Sequence, residues 1–570
     1  MLSKHRSICG QAAGIVGILP LRQIYRACRR GHADTGTSPM SFAAVCHPRT
    51  GQQGRMDAAH TTPDDIGWQS ISAPIYHNAN RIGGKAAIIA DGRTMSHAEL
   101  AANISRMARH LERLGIASGT LVGTCLDDTA EYLVIMMALA DLGAIILPMD
   151  VRWTQAERVA VARGFMADLV LVSEGGAEID GNRTVTASQS WFDEAMKAPA
   201  ERRISVADRR QPLILSLSSG TTGKPKGPVI SHGNILNRLQ IYTVSLGFNE
   251  RDRFLLSTPL YFGGGRYMAL CMLMLGGTVV LARQPVSPAE LLRIVDDEKI
   301  TSLFLVPTLL RRLLSICEDN DGPALPAVRR LISSGSILHA RERDLIQRKL
   351  SPEFFNFYAS TEGGGVSVLA PDDPETVSGS IGRPVFGTEV ELVGPDHKPV
   401  PKGDVGEIRY RGGTVADGFY RDPDATAEAF RDGWYYPGDL GRYDEDGYLY
   451  LVGRTKDMII RGGVNIYPFE IEQLLLSHPD IAEAAVVAWP SPELGEEVAA
   501  FVVPKAPLEQ VDRHLLDGFC RANLAPYKVP KDFFTLAEMP KNAMGKILKA
   551  NLSGRLPPLP ARPEKSRSDS

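Results

Sequence analysis

Short apolar runs alternate with amphipathic stretches from about Ile71 to Tyr358. Segments 212–217, 253–257, Thr278–Leu281, 302–306, Arg330–Ser333 and 354–358 are continuous enough in apolar character to be buried strands. Segments 288–298, Pro307–Ile316 and 339–350 carry their apolar residues at helical spacing instead. Ser96-His97-Ala98-Glu99 spells a capping box, after which Leu100, Ile104, Met107, Leu111 and Leu114 recur on one face until Gly115 ends the helix. Strand–helix alternation of this kind predicts an α/β fold with doubly wound, largely parallel sheets in a large N-terminal domain. From Gly379 to Tyr450 the grammar changes to strand and turn, with Gly403-Asp404, Asp432-Gly433 and Asp446-Gly447, which predicts a β subdomain. Past Gly453, Pro468 opens a helix with Ile471, Leu474 and Leu475 on its apolar face, and 484–489 and 499–503 are strand-like. The expected organisation is a leader over 1–70, a large domain over 71–453 with its β subdomain at about 379–450, a small α+β domain over 454–551, and a tail over 552–570.

Composition narrows the class. The chain has 570 residues, 44% hydrophobic, which is enough for several cores. A net charge of -3 gives no field that draws nucleic acid or anionic lipid. Seven cysteines with no C-x-x-C pair suit reduced, structural thiols of a cytoplasmic protein. The apolar run at 133–140 falls short of the roughly 18–20 residues of a membrane span. The first 55 residues hold several arginines and no acid until Asp34. They are expected to be a disordered leader, or sequence upstream of a later start at Met40 or Met56, in preference to a targeting peptide. The tail from Pro557, rich in Pro, Arg, Lys and Ser, is expected to be disordered.

The densest chemistry follows the 212–217 strand: Ser218-Ser219-Gly220-Thr221-Thr222-Gly223-Lys224-Pro225-Lys226-Gly227. Glycines let backbone N–H groups approach oxyanions, hydroxyls donate hydrogen bonds and lysines bring positive charge, so the segment suits a loop wrapped around phosphates. It is not a P-loop, because the second glycine comes too early and Pro225 follows Lys224. The order of residues from Leu215 to Lys226 resembles the phosphate-loop signature of the adenylate-forming superfamily, which includes acyl-CoA synthetases, luciferases and peptide-synthetase adenylation domains.

Four further segments resemble that superfamily's motifs in the same order, and the resemblance implies a role for each residue. Asn356-Phe357-Tyr358-Ala359-Ser360-Thr361-Glu362 is similar to N-x-Y-G-x-T-E, with Ala359 at the usual glycine. By the resemblance, Tyr358 stacks on adenine, Asn356 reads its edge, Thr361 contacts the α-phosphate, and Glu362, with Thr221, holds Mg²⁺ on ATP. Tyr436-Pro437-Gly438-Asp439 is similar to T-G-D, with Asp439 on the ribose hydroxyls. Gly453-Arg454-Thr455-Lys456-Asp457 is similar to the hinge motif, with Arg454 on ribose or phosphate and Lys456 where a mobile C-terminal domain turns. Gly463, in Arg461-Gly462-Gly463, is the candidate for the pantetheine tunnel. Lys541-Asn542-Ala543-Met544-Gly545-Lys546 resembles the last motif, whose Lys546 spans the substrate carboxylate and the α-phosphate. A fixed cation there stabilises charge as two anions meet.

The resemblance implies two half-reactions: an acid and MgATP give acyl-AMP and pyrophosphate, then a thiol takes the acyl group. Ser219, Gly220, Thr222, Gly223 and Lys226 complete the expected nucleotide site, and Thr221, Glu362 and Lys546 the catalytic set. Tyr261, Phe262, Gly263, Gly264, Ser334, Gly335 and Gly363 are the expected acid pocket. No acidic residue lies from Thr258 to Arg266, so an α-ammonium would be unpaired beside Phe262. An aliphatic or aromatic acid without an α-amine is therefore expected. Gly263–Gly265 and Gly363–Gly365 suggest backbone kept bare for the acyl chain, and Arg266 is either a surface ion-pair arginine or a partner for a second carboxylate. The acceptor is coenzyme A, with a carrier protein as the alternative; a non-catalytic nucleotide-binding homologue is the reading outside enzyme chemistry. A homodimer is left open.

Overall fold

The computed structural model describes residues 67–201, 208–219, 225–318, 320–336, 338–505, 510–541 and 547–559. The leader up to residue 66, and Cys9, Cys28 and Cys46 within it, lie outside the described residues, as do 560–570 of the tail.

Two sheets dominate the large domain. Among the described residues one has nine strands, in the order Arg383–Pro384, Gly364–Leu369, Phe354–Ser360, Arg330–Ser333, Ser302–Leu305, Arg253–Leu256, Thr278–Leu281, Ala86–Ala90 and Arg93–Ser96. Its interior pairs are parallel and its two ends antiparallel. The other has six: Val229–Ser231, Pro212–Leu215, Ile145–Pro148, Leu121–Cys125, Leu169–Ser173 and Thr184–Ala187, parallel except for the first pair. Helix Ala130–Leu142 is buried at every residue from Tyr132 to Leu142, and helix Gly263–Leu275 at every residue from Gly265 to Met274. Both join one core with residues of both sheets, which explains why their sequences are apolar all round and not on one face. Each ends on a left-handed glycine, Gly143 at φ 72° and Gly276 at φ 83°.

The expected capping box is present: the Ser96 hydroxyl accepts from the Glu99 N–H while the Glu99 carboxylate takes the Ser96 N–H, and Gly115 stands at φ 83° just past helix His97–Arg113. The 212–217 strand stops at Leu215; Ser218–Ser219 then pairs back on Pro225–Lys226. The 354–358 strand runs on to Ser360, because the chain doubles back there as an antiparallel pair with Gly364–Leu369.

The β subdomain is a separate six-stranded sheet among the described residues, centred on Gly406–Gly412 and closed by Asp439–Tyr443 and Leu449–Arg454. After the short turn Thr455–Asp457, a five-stranded sheet packs with helices Pro468–Ser477 and Arg513–Asn523 around its own core of Ile459, Ile471, Leu475, Val498 and Leu516. Cys125, Cys271, Cys317 and Cys520 are buried and free. Among the described residues no helix is long and apolar enough to cross a membrane.

Candidate active site

Parallel strands deliver side chains at their carboxyl ends, and ligands of open α/β sheets bind there. The motif residues follow this rule. Ser333 and Asn356 are register partners on adjacent parallel strands, with half-buried Ser334 and then exposed Gly335 just beyond. Tyr358 continues from Asn356, and its hydroxyl donates to Asp439 Oδ2 at 2.5 Å. Burial and the Asp439 charge hold that phenol well above its ordinary pKa. Asp439 and Arg454 face each other across an antiparallel pair, and Arg454 Nε lies 2.9 Å from Asp439 Oδ1. Three motifs distant in sequence thus converge on one carboxylate that is only 7% exposed.

The turn carrying Glu362 is held by residues that no motif names. Arg238 Nη2 donates to the Thr361 carbonyl at 3.0 Å, and the Ala416 N–H to the Glu362 carbonyl at 2.8 Å. Thr414 Oγ1 donates to the Gly363 carbonyl at 2.7 Å, while the Gly363 N–H donates to Ser360 Oγ, itself 2.7 Å from the Tyr410 hydroxyl. The Glu362 side chain is half-buried.

The phosphate segment forms a hairpin in which Ser218 pairs with Lys226 and Ser219 with Pro225. Lys226 Nζ stands 5.1 Å from the centre of the Phe419 ring. Gly220, Thr221, Thr222, Gly223 and Lys224 lie outside the described residues. So does Lys546. The residues on either side of it are described: Lys541 bridges to Ile547, the Leu548 N–H donates to the Pro540 carbonyl at 2.8 Å, and Lys541 Nζ pairs with Glu483 at 2.6 Å.

Around the acid loop, Phe262 stacks on Phe304 at 6.4 Å and precedes helix Gly263–Leu275 as its N-cap. Gly263–Gly265 open that helix and are not a loop. A Cβ on Gly264 would meet Phe304 and Phe262, and one on Gly265 would lie 2.0 Å from Thr258 Oγ1. On Gly363 it would lie 2.1 Å from the Tyr410 ring, and on Gly365 2.5 Å from Phe357. The missing Cβ at these positions admits protein side chains, so close packing by itself requires glycine. Arg266 differs from both expectations. It is fully buried and makes no ion pair among the described residues; its guanidinium donates to the Leu260 and Tyr261 carbonyls at 3.0 and 2.8 Å and to Ser216 Oγ at 2.8 Å.

The tertiary structure also brings carboxylates to a loop that has none of its own. Asp128 Oδ1 accepts from the Leu260 N–H at 2.6 Å. Asp150 pairs with Arg152 at 2.8 Å, and Arg152 in turn donates to the Tyr261 hydroxyl. Both carboxylates are therefore committed to partners. Their sequence signal was available: they lie three and two residues past the ends of parallel strands Leu121–Cys125 and Ile145–Pro148, where ligand-facing residues stand.

Lys456 lies in the Thr455–Asp457 turn between the β subdomain and the strand Ile459–Arg461, and the Thr455 N–H donates to the Gly438 carbonyl at 2.9 Å. Gly462 and Gly463, at φ 57° and 85°, form the two-residue turn between Ile459–Arg461 and Val464–Ile466. That geometry asks for glycine or asparagine whatever passes nearby, and a Cβ on Gly463 would meet nothing within 4 Å.

Residues 75–420 match the AMP-binding enzyme family, and residues 470–546 match the AMP-binding enzyme C-terminal domain. The chain belongs to the AMP-binding enzyme family. It is 33% identical over 472 residues to a feruloyl-CoA synthase of an Amycolatopsis species, covering 81% of this chain and 94% of that one. It is 32% identical over 505 residues to the indoleacetate–CoA ligase of Aromatoleum aromaticum, covering 84% and 96%. The o-succinylbenzoate coenzyme A synthetase of Bacillus subtilis, solved with ATP and a magnesium ion, superposes with a TM-score of 0.76 at 29% identity, covering 84% of this chain and 98% of that one.

Proposed function

We propose that the phosphate hairpin and the Tyr358–Asp439–Arg454 cluster together take ATP, and that the loop bearing Tyr261 and Phe262 takes a carboxylic acid without an α-amine. The chain is an AMP-forming acid–CoA ligase, and its reaction passes through an acyl-adenylate. The acid's carboxylate oxygen attacks the α-phosphorus, the bond to the bridging oxygen breaks and pyrophosphate leaves. The sulfur of CoA then attacks the acyl carbon, a proton is lost from the thiol, and AMP departs with the electron pair of the anhydride bond.

In this reading Tyr358 offers its ring to adenine, Asn356 stands at the adenine edge, and Asp439 accepts from the ribose hydroxyls. Arg454 orients the Asp439 carboxylate. Thr361 and the phosphate hairpin, including Ser219 and Lys226, hold the triphosphate. Lys546 bridges the two reacting anions, and Lys456 marks the turn between the domains. Glu362 and Thr221 are hard oxygen donors, and magnesium on a nucleotide needs only one or two protein oxygens besides the phosphates, so these residues fit the ion. When bound it would neutralise phosphate charge. Ser334 and Gly335 close the acid pocket beside Gly263 and Gly363.

The amine-free reading rests on the fate of the nearby carboxylates. Asp150 is paired with Arg152, and burial pushes Asp128 up to about 6 while it accepts from Leu260. Both carboxylates are already engaged, so an ammonium would find neither free. The observation that carries the nucleotide assignment is the convergence of Tyr358 and Arg454 on Asp439. ATP–pyrophosphate exchange over a panel of aromatic, aliphatic and amino acids tests it, followed by thioester formation with CoA and with a carrier protein. Exchange driven by amino acids would overturn the substrate class; transfer only to the carrier would overturn the acceptor.

A further inference from the structure

We propose that Asp128 and Arg266 are positioning residues that set the acid loop, residues 257–262, against the strand leading into the phosphate hairpin. The proposal rests on the reading that this loop borders the acid substrate. The loop leaves strand Arg253–Leu256 of the nine-stranded sheet and enters helix Gly263–Leu275. Within the loop, the Phe262 N–H donates to the Pro259 carbonyl at 3.0 Å. Ser257 Oγ donates to the Phe304 carbonyl of the same sheet at 3.0 Å, and further anchors come from the other sheet. Asp128, Asp150 and Ser216 follow three neighbouring strands, Leu121–Cys125, Ile145–Pro148 and Pro212–Leu215. Asp128 takes the Leu260 N–H, and Asp150 orients Arg152 on the Tyr261 hydroxyl. Arg266 joins the Leu260 and Tyr261 carbonyls to Ser216. Leu260 is thus gripped at both of its backbone groups, and one guanidinium ties the acid loop to a residue two positions before the hairpin.

Arg266 is costly where it stands. It is fully buried and, among the described residues, has no carboxylate within ion-pair distance and no partner for its Nε; its charge is offset by three oxygens and by the Tyr267 ring at 4.8 Å. A buried unpaired cation is poor value for stability, and an apolar residue of similar size packs there without that penalty. What an apolar residue cannot do is hold two carbonyls and a hydroxyl in one plane. Reacting groups displaced by about 1 Å lose roughly 10²-fold in rate, so fixing this loop relative to the hairpin bears directly on adenylation.

Asp128 adds a pH dependence. Burial raises its pKa to about 6; Asp127 and Asp150 push the same way, and the Leu260 N–H and Arg152 oppose. Tyr132 and Tyr261 also face it. As pH falls through 6 the carboxylate gains a proton and Leu260 loses a charged acceptor. At pH 5 about a tenth of the sites keep the charge, against nearly all at pH 8, so kcat/KM for the acid should fall about tenfold between the two.

The test is ATP–pyrophosphate exchange with the acid titrated at saturating ATP, from pH 5 to pH 8, alongside calorimetric binding of AMP. Asp128→Asn keeps an oxygen for Leu260 but cannot titrate; its pH 8 to pH 5 ratio should shrink below about threefold. Arg266→Met should raise KM for the acid by about tenfold or more while AMP affinity stays within about threefold, and Arg266→Lys should fall between. An Asp128→Asn profile as steep as that of the wild type, or equal losses of acid and AMP binding in Arg266→Met, overturns the proposal. Wild-type exchange with any acid sustains the ligase reading whichever way the variants behave, and wild-type AMP binding without exchange overturns that reading on its own.

Discussion

Asp439→Asn removes one charge from the centre of the proposed nucleotide site and changes almost nothing else in shape. In the wild type one carboxylate oxygen takes the Tyr358 hydroxyl at 2.5 Å and the other faces Arg454 at 2.9 Å. The amide keeps an acceptor for one of them and points an N–H₂ group at the other. Breaking a fully buried ion pair costs about 3–5 kcal/mol. Here the Arg454 side chain is 37% exposed, so water covers part of the loss and about 1–2 kcal/mol of stability should go. The effect on ligand is larger in proportion. Each of the two ribose hydroxyls donating to a carboxylate gains about 1.5–3 kcal/mol and a neutral amide offers about half, so the pair loses about 1.5–3 kcal/mol. AMP affinity should fall about tenfold to a hundredfold. Calorimetric titration of AMP reads the affinity, and a thermal melt confirms that the variant folds. Tyr358→Phe is the companion: it removes the hydroxyl and keeps the ring, so AMP should lose only a few-fold. An unchanged Kd in an Asp439→Asn protein that melts cooperatively would refute the ribose assignment and leave Asp439 as a structural partner of Arg454.

Three further outcomes follow from particular residues. Lys546→Ala should slow ATP–pyrophosphate exchange about 10²–10³-fold, yet supplied acyl-AMP should still reach CoA at close to the wild-type rate; equal loss in both assays refutes the separation of half-reactions. Gly463→Asn, which tolerates φ 85°, should fold and exchange normally, whereas Gly463→Leu should lower the melting temperature; thioester formation lost in both variants with exchange intact would support a thiol channel there. Gly363→Ala places a methyl 2.1 Å from the Tyr410 ring and should cost about 1–3 kcal/mol, read by denaturant titration; a neutral result means that the turn shifts without loss.

Much was legible in the chain itself. The Ser96–Glu99 capping box, the helix ending before Gly115 and most strands of the large domain come from codes that act over a few residues: side-chain hydrogen bonds to the nearest free N–H, left-handed glycine, and apolar spacing. The glycine–hydroxyl–lysine segment at 218–227 and the ordered motifs up to Lys546 likewise carry their chemistry in local composition. The tertiary structure decided how these pieces meet. Sheet order makes neighbours of the strand ends bearing Asp128, Asp150 and Ser216, and cross-strand register sets Asp439 opposite Arg454. Close packing explains the glycines at 264, 265, 363 and 365, because the rings and side chains that need their space come from other elements. Arg266 is the sharpest case. Arginine is by its own chemistry a surface residue, and it is buried here because three oxygens from two separate sheet ends converge on the one place its helix can reach. Side-chain type is written residue by residue, but partnership across sheets exists only once the strands have been ordered.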